Sequence, residues 1–187
     1  MSERDDRSSF INSLIKIVGD RYLEIGLGTG DHFKSINTDN KDGVDILNVP
    51  VATHVMPSNE YFRQCNKTFD IVFIDGNHIC EQVVMDFNNA LNHLSEHGVI
   101  LVHDLVPRDK TYISPAGCGD GFKMLAYFVK QGSVDMATVE NSLGLTIFKS
   151  REPAKYLDID YDYFVSGVKP LIKFVSYTDI LRMLRNG

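Results

Sequence analysis

Two short segments each end in an acid with a histidine beside it. In "FIDGNH" Asp75 stands three residues before His78, and in "LVHD" His103 immediately precedes Asp104. Both segments begin as apolar runs, and parallel strands end on a common crevice, so the four side chains can converge. Two kinds of chemistry suit such a group. A histidine near its usual pKa of about 6.5 can take a proton from a hydroxyl, and His103 is favoured over His78 because a strand would hold it rigidly. Alternatively, Asp75 and Asp104 can hold a divalent cation such as Mg²⁺, which acidifies and orients a hydroxyl.

A second constellation lies earlier, in "YLEIGLGTGDHF". Gly26, Gly28 and Gly30 alternate directly behind a short apolar run, with Glu24 before them and Thr29 among them. Glycines at a strand–helix turn let the backbone approach a ligand closely. The dinucleotide fingerprint would need glycine at 31, where this chain has Asp31. Acids around such a loop suit a cationic ligand, an ammonium or a sulfonium, better than a pyrophosphate. Asp45 follows Gly26 by 19 residues and ends the next strand, where carboxylates accept ribose hydroxyls. A tight turn or a strand-end acid alone means little; together and in order they indicate an adenosine ligand.

With these residues the chain resembles a family. Glu24-Ile-Gly-Leu-Gly-Thr-Gly30 is similar to the first motif of class I S-adenosylmethionine-dependent methyltransferases. The segments "FDIVFIDGNH" and "GVILVHD" are similar to their fourth and fifth strands, closest to a small-methyltransferase subgroup with "IDG-x-H" and "HD" strand ends. The resemblance implies a seven-stranded sheet whose last strand is antiparallel, with S-adenosylmethionine bound at the loop. It implies that Glu24, Gly26, Gly28, Thr29 and Gly30 hold the methionine end; contact with the cofactor's amino end is an alternative role for Asp75. Asp45 would hold the ribose, and Met56 and Ser58 would lie near the adenine. Catechol-type and macrolide-sugar O-methyltransferases are similar in having metal-binding acids where this chain has Asp75 and Asp104. They carry a further Asn or Asp where this chain has Leu105, which leaves two carboxylates, with His78 or His103 as substitutes.

The expected activity is therefore methyl transfer, to an oxygen of a small molecule or sugar. A nicotinamide-dependent oxidoreductase is the alternative enzyme, opposed by Glu24, Asp31 and the lack of a Tyr-x-x-x-Lys pair. A cofactor- or partner-binding domain that has lost catalysis is the other alternative, supported by Leu105.

The elements needed to hold these residues are legible in the pattern. Apolar spacing predicts a helix over 10–18 capped by Ser8 or Ser9, a strand over 22–25, a strand ending near Asp45 and a weak strand in "THVMPS". "FDIVFID" and "VILVHD" read as buried strands, separated by a helix over 80–95 whose apolar face is Val83, Val84, Phe87, Leu91 and Leu94. Residues 105–120 lack periodicity and predict a mobile substrate lid, offering Arg108, Lys110, Tyr112 and Asp120 to the substrate. Asp120 is also expected to cap the next helix, whose apolar side is Phe122, Leu125, Phe128 and Val129. "VDMATVE" and "GLTIFKS" predict a hairpin through "NSL". The sum is a doubly wound α/β fold with a mostly parallel, seven-stranded sheet over 1–150. Residues 151–187 predict a helical extension packed on the same domain, with Ser176 capping its last helix. Asp158, Asp160 and Asp162 do not make a calcium loop, because Tyr163 and Lys169 stand where glycine and glutamate are required.

Bulk properties narrow the partners. The 187 residues are 43% hydrophobic and 24% charged, enough for a proper core. A formal charge of −6 argues against general nucleic-acid binding. Cys65, Cys80 and Cys118 lack CxxC spacing, the opening "MSERDDRSS" has no apolar core, and no apolar run nears the roughly 20 residues that span a bilayer. A cytoplasmic protein without membrane contact is expected, with a small-molecule or sugar substrate and homodimerisation left open.

Overall fold

Seven strands form one sheet: β1 (Tyr22–Ile25), β2 (Lys41–Asp45), β3 (His54–Val55), β4 (Phe69–Ile74), β5 (Leu94–Val102), β6 (Met136–Val139) and β7 (Leu145–Phe148). Their spatial order is β3-β2-β1-β4-β5-β7-β6. The first five are mutually parallel, while β7 runs antiparallel to both β5 and β6. The order reverses between β1 and β4, so the crevice beyond their carboxyl ends is where this architecture binds ligands. This is the computed structural model of the protein, and it describes residues 3–114, 117–133, 135–139, 143–149 and 151–186. Asn141 and Ser142 of the expected "NSL" turn lie outside the described residues.

Both faces of the sheet are covered, which explains why β4 and β5 read as continuous apolar runs. On one face Phe10, Ile11 and Leu14 of α1 (Glu3–Val18) pack on Tyr22, Ile71, Phe73, Val99 and Leu101. The short α2 (Asp31–Ser35) adds Phe33 to this side. On the other face Val72, Ile74, Ile100 and Val102 meet Val83 and Phe87 of α4 (Cys80–Asn92) and Phe122, Leu125 and Phe128 of α5 (Phe122–Lys130). Phe62 of α3 (Ser58–Gln64) extends that second core.

Four local expectations need correction. The first helix begins at Glu3, so Ser8 and Ser9 lie inside it and cap nothing; Ser9 accepts from Ser13 Oγ through its carbonyl. The helix expected to reach residue 95 stops at Asn92, because Leu94 already pairs with Phe69 in β5. His103 and Asp104 lie beyond the end of β5 rather than in it. Asp120 does not cap α5; its Oδ1 accepts from the Cys80 amide at 2.7 Å and so caps α4 instead.

The extension packs on the second core. Tyr161 and Phe164, from α6 (Tyr161–Tyr163) and the turn after it, contact the Phe122 ring. Asn88 exchanges two hydrogen bonds with the Ala154 backbone. The last helix, α7 (Tyr177–Asn186), crosses to the first core, where Phe10 and Tyr177 rings lie 4.6 Å apart. Ser176 caps it through its hydroxyl, which accepts from the Asp179 amide at 3.1 Å. Among the described residues, no helix is long and apolar enough to cross a membrane.

Candidate active site

A cleft of about 490 Å³ opens at the reversal point, lined by the segments that follow β1, β2 and β4 and by the start of α3 and α4. Its size is that of a cofactor site. Gly26 is forced by close approach, since a Cβ there would stand 2.3 Å from the Asp75 carbonyl oxygen. Gly28 differs: its φ is +54° and a Cβ would meet nothing within 4 Å. That side chain would project into open cleft, so the bare backbone leaves room for a ligand to lie against it. Gly30 precedes α2 in a left-handed conformation, and Thr29 Oγ1 donates to Asp31 Oδ2.

Asp45 ends β2 on the cleft wall. Its Oδ2 accepts from the Leu27 amide and its Oδ1 from the Leu47 amide, both at 2.8 Å. These bonds tie the glycine loop to the end of β2 and fix the carboxylate for further acceptance, each oxygen having two lone pairs. Ile46, Leu47, Met56 and Ser58 continue the wall. Glu24, by contrast, does not line the cleft. It is 1% exposed, and its Oε2 accepts from the Tyr22 hydroxyl at 2.6 Å and lies 3.0 Å from His32 Nδ1. Its carboxylate braces the base of the loop.

The second constellation does converge. His103 Nδ1 lies 3.1 Å from Asp75 Oδ1 and 3.2 Å from Asp104 Oδ1. His78 Nε2 lies 3.3 Å from Asp104 Oδ2 and 3.6 Å from Asp75 Oδ1. The other ring nitrogen of His78, Nδ1, meets the Gly117 carbonyl oxygen, which can only accept, so Nδ1 carries the proton. Asp104 adopts a left-handed backbone, φ 61°, a strained state that clusters at functional sites. Asp75 and His78 line the cleft, whereas His103 and Asp104 do not.

Electrostatics separate the two histidines. Burial would lower the His103 pKa, but the Asp75 and Asp104 carboxylates outweigh it and raise it to about 9. The two carboxylates thus favour the protonated form of His103. This raised pKa, together with the absence of His103 from the cleft lining, weighs against the expected preference for His103 as base. Burial also opposes protonation of His78, and Asp75 and Asp104 again prevail, holding it above the ordinary value. Burial pushes Asp75 up, yet its neighbours His103, His78 and Arg7 hold it well below the usual carboxylate range.

Atoms of Asp75, His78 and Asp104 lie within 4.8 Å of one another, a set that could hold a metal ion. Arg7 bears on this. It reaches from α1 to 3.6 Å from Asp75 Oδ2 and lies over the Phe73 ring, 8% exposed. Its guanidinium places a positive charge beside the Asp75 carboxylate.

Arg7 and Asp86 are absent from the sequence reading. Arg7 hides in an opening run of alternating charges that looks solvated. Asp86 left a signal: it falls between Val83 and Phe87 on the apolar arc of α4, where an acid is out of place.

Residues 23–105 match the family model described as "Methyltransferase domain". No curated protein matches the chain. Among solved structures, an SAH-bound methyltransferase from Podospora anserina is similar over 81% of this chain and 78% of its own, at 16% identity and a TM-score of 0.58. An O-methyltransferase from Bacillus cereus in complex with SAH is similar over 76% of this chain and 80% of its own, at 16% identity and a TM-score of 0.53. The chain spans about half the length (49%) of DesVI from Streptomyces venezuelae, at 18% identity and a TM-score of 0.43 over 54% of this chain. Residues 23–105, less than half of the chain, are thus similar to a methyltransferase domain, and the likeness to the solved structures is one of fold.

Proposed function

We propose that the protein transfers a methyl group from S-adenosylmethionine to an oxygen of a small molecule, with His78 as the general base. The observation that carries the reading is that His78, unlike His103, lines the cleft and keeps Nε2 turned toward Asp75 and Asp104. Gly26 and Gly28 would lie against the cofactor, Asp45 would accept its ribose hydroxyls, and Ile46 and Met56 would flank its base. The bound cofactor supplies an electrophilic methyl carbon on a sulfonium. The chain's task is then to bring up a hydroxyl and remove its proton. His78 is held through Nδ1 by the Gly117 carbonyl, and its Nε2, buried beside Asp75 and Asp104, would have to turn toward the cleft to take the proton. Asp75 and Asp104 steady the imidazolium that results, while Arg7 and His103 keep the carboxylates ionised. An oxygen as acceptor is supported by the histidine beside the cleft and by fold likeness to O-methyltransferases.

A second reading has a specific observation behind it. The Asp75, His78 and Asp104 cluster has ligand spacing, and a metal-bound histidine usually donates its other nitrogen to a carbonyl, as His78 does. Arg7 already sets a positive charge against Asp75, and the carboxylates favour a protonated His103, which weighs against a further double charge. Histidine is therefore preferred. Turnover should survive EDTA, fall as pH drops through the raised His78 pKa, and be lost in His78→Asn protein that still binds S-adenosylmethionine. Loss of turnover with EDTA and its return with Mg²⁺ or Mn²⁺ would establish the cation instead.

A further inference from the structure

The segment after β5 holds His78 and also walls a second cavity, apart from the cofactor cleft. At one place along it, the Gly117 carbonyl oxygen meets His78 Nδ1. At another, residues 108–111 face the C-terminal extension across a hollow of about 540 Å³. The Tyr161 hydroxyl donates to the Pro107 carbonyl at 3.1 Å and so pins the start of the segment beside this hollow. Cys118 is fully buried and feels both places. Burial and the Asp104 carboxylate push its thiol up to about 12, while the Arg108 charge pulls it down.

The lining pairs apolar surface with positive charge. Tyr161 and Val165 give the apolar part, with Val165 left 41% exposed. Arg108, Lys110 and Lys169 give three cations, a local excess in a chain of formal charge −6. Among the described residues the lining holds one acid, Asp109, and its Oδ1 is taken by the Thr111 amide and hydroxyl. Lys110 donates to Asp162 at 2.7 Å, but that pair is exposed and an ammonium has three donors. Lys169 is half-buried and meets no acid among the described residues. A cation partly withdrawn from water without a counter-charge is unfavourable, and an anionic ligand would offset that.

We propose that this hollow seats an anionic group of the methyl acceptor, a carboxylate or a phosphate monoester carried on a short apolar body. Arg108, Lys110 and Lys169 would surround the charge, and Tyr161 and Val165 would cover the body. The proposal rests on methyl transfer at His78 and narrows that reading to acidic acceptors. Residues 108–111 and Gly117 belong to one segment, so a ligand seated here would also steady the carbonyl that holds His78.

The test is calorimetric titration of three phenols of similar length into protein loaded with S-adenosylhomocysteine: 3-(4-hydroxyphenyl)propionate, its neutral amide, and 2-(4-hydroxyphenyl)ethyl phosphate. At low salt wild type should bind at least one anion about fivefold or more tighter than the amide, the scale of one or two exposed ion pairs. High salt should shrink the preference, and the tighter anion tells carboxylate from phosphate. Lys169→Glu should bring the anions within about twofold of the amide, and Lys169→Arg should retain the wild-type preference. Lys173→Glu makes the same charge change at an exposed lysine that lines a different cavity, and should leave the preference intact. Wild type that binds the amide as well as the anions, or none of the three, overturns the proposal. So does an equal loss in Lys169→Glu and Lys173→Glu, which would be an effect of net charge alone. If wild type binds S-adenosylhomocysteine but shows no preference for an anion, the acceptor proposal falls alone. If it does not bind S-adenosylhomocysteine, the methyl-transfer reading falls with it.

Discussion

Gly28 and Gly132 offer a paired experiment at the scale of single residues. Both have positive φ, +54° and +69°, and a Cβ at either would meet nothing within 4 Å. Only Gly28 lines the cleft. Alanine at each should lower stability by a similar amount, about 1 kcal/mol for a left-handed L-residue. Only Gly28→Ala should also weaken S-adenosylmethionine binding, because its methyl stands where the ligand lies. Equal titration curves for the two variants would remove the cleft argument. Asp45 is a second test: Asp45→Asn loses its charge and one of its two amide partners, and cofactor binding should weaken by about 1.5–3 kcal/mol in calorimetry. NAD should bind to neither form. The residue types that line the cleft stand out in the sequence, since bare glycines followed in order by a strand-end acid form a pattern of type and spacing. Glu24 shows the limit. An acid before a glycine loop looks like a ligand group, and nothing in the sequence tells that Tyr22 and His32 take it.

At the scale of elements, the segment after β5 is less free than its length suggested. Leu105 and Val106 are 1% and 3% exposed, Cys118 is fully buried, and Asp120 caps α4. A Cβ on Gly119 would lie 2.2 Å from the His78 carbonyl oxygen, so the returning limb is pressed against the His78 segment. In hydrogen exchange, amides of Leu105, Val106 and Cys118 should be protected in the free protein. Those of 108–114 should exchange quickly and slow only when substrate binds; uniform protection across the segment would refute a lid there. Asp120→Ala should lower stability by about 1 kcal/mol through loss of the cap on α4, measurable by urea unfolding. It should also slow turnover, since α4 begins two residues after His78. The sequence could not reveal this cap: Asp120 stands next to α5, and its 40-residue reach to Cys80 is a tertiary fact. The early end of α4 has the same origin. Leu94 satisfies the helical pattern, but pairing with Phe69 decides its fate.

The whole molecule should record the buried charges in its response to pH. His103 is raised to about 9 in the folded protein, against about 6.5 unfolded. Its contribution is complete below about 6.5 and is lost as pH rises through about 9, with a slope of at most about 1.4 kcal/mol per pH unit. Asp75 acts oppositely: held low by His103, His78 and Arg7, it stabilises at neutral pH and ceases to do so in strong acid. Thermal melts of wild type should therefore fall between pH 6.5 and 9, and His103→Asn, less stable at pH 6, should flatten that limb. An unchanged slope would mean that His103 is neutral in the native state. The architecture itself was legible because strands covered on both faces must be apolar throughout, and β4 and β5 announce this. The charged interior was not, because polarity in a sequence ordinarily signals solvent. The strand order also bears on how the chain comes off the ribosome. The last strand to be made, β7, does not join at the rim but slots between β5 and β6, pairing Phe148 with Ile100 and Met136. Until residue 148 has emerged, β5 has a bare apolar flank from Ile100 to Val102, and β6 has no neighbour to hold it. A nascent chain paused between 103 and 144 would present an adhesive edge to its siblings, so chaperone demand and aggregation should peak in that window of synthesis rather than after release.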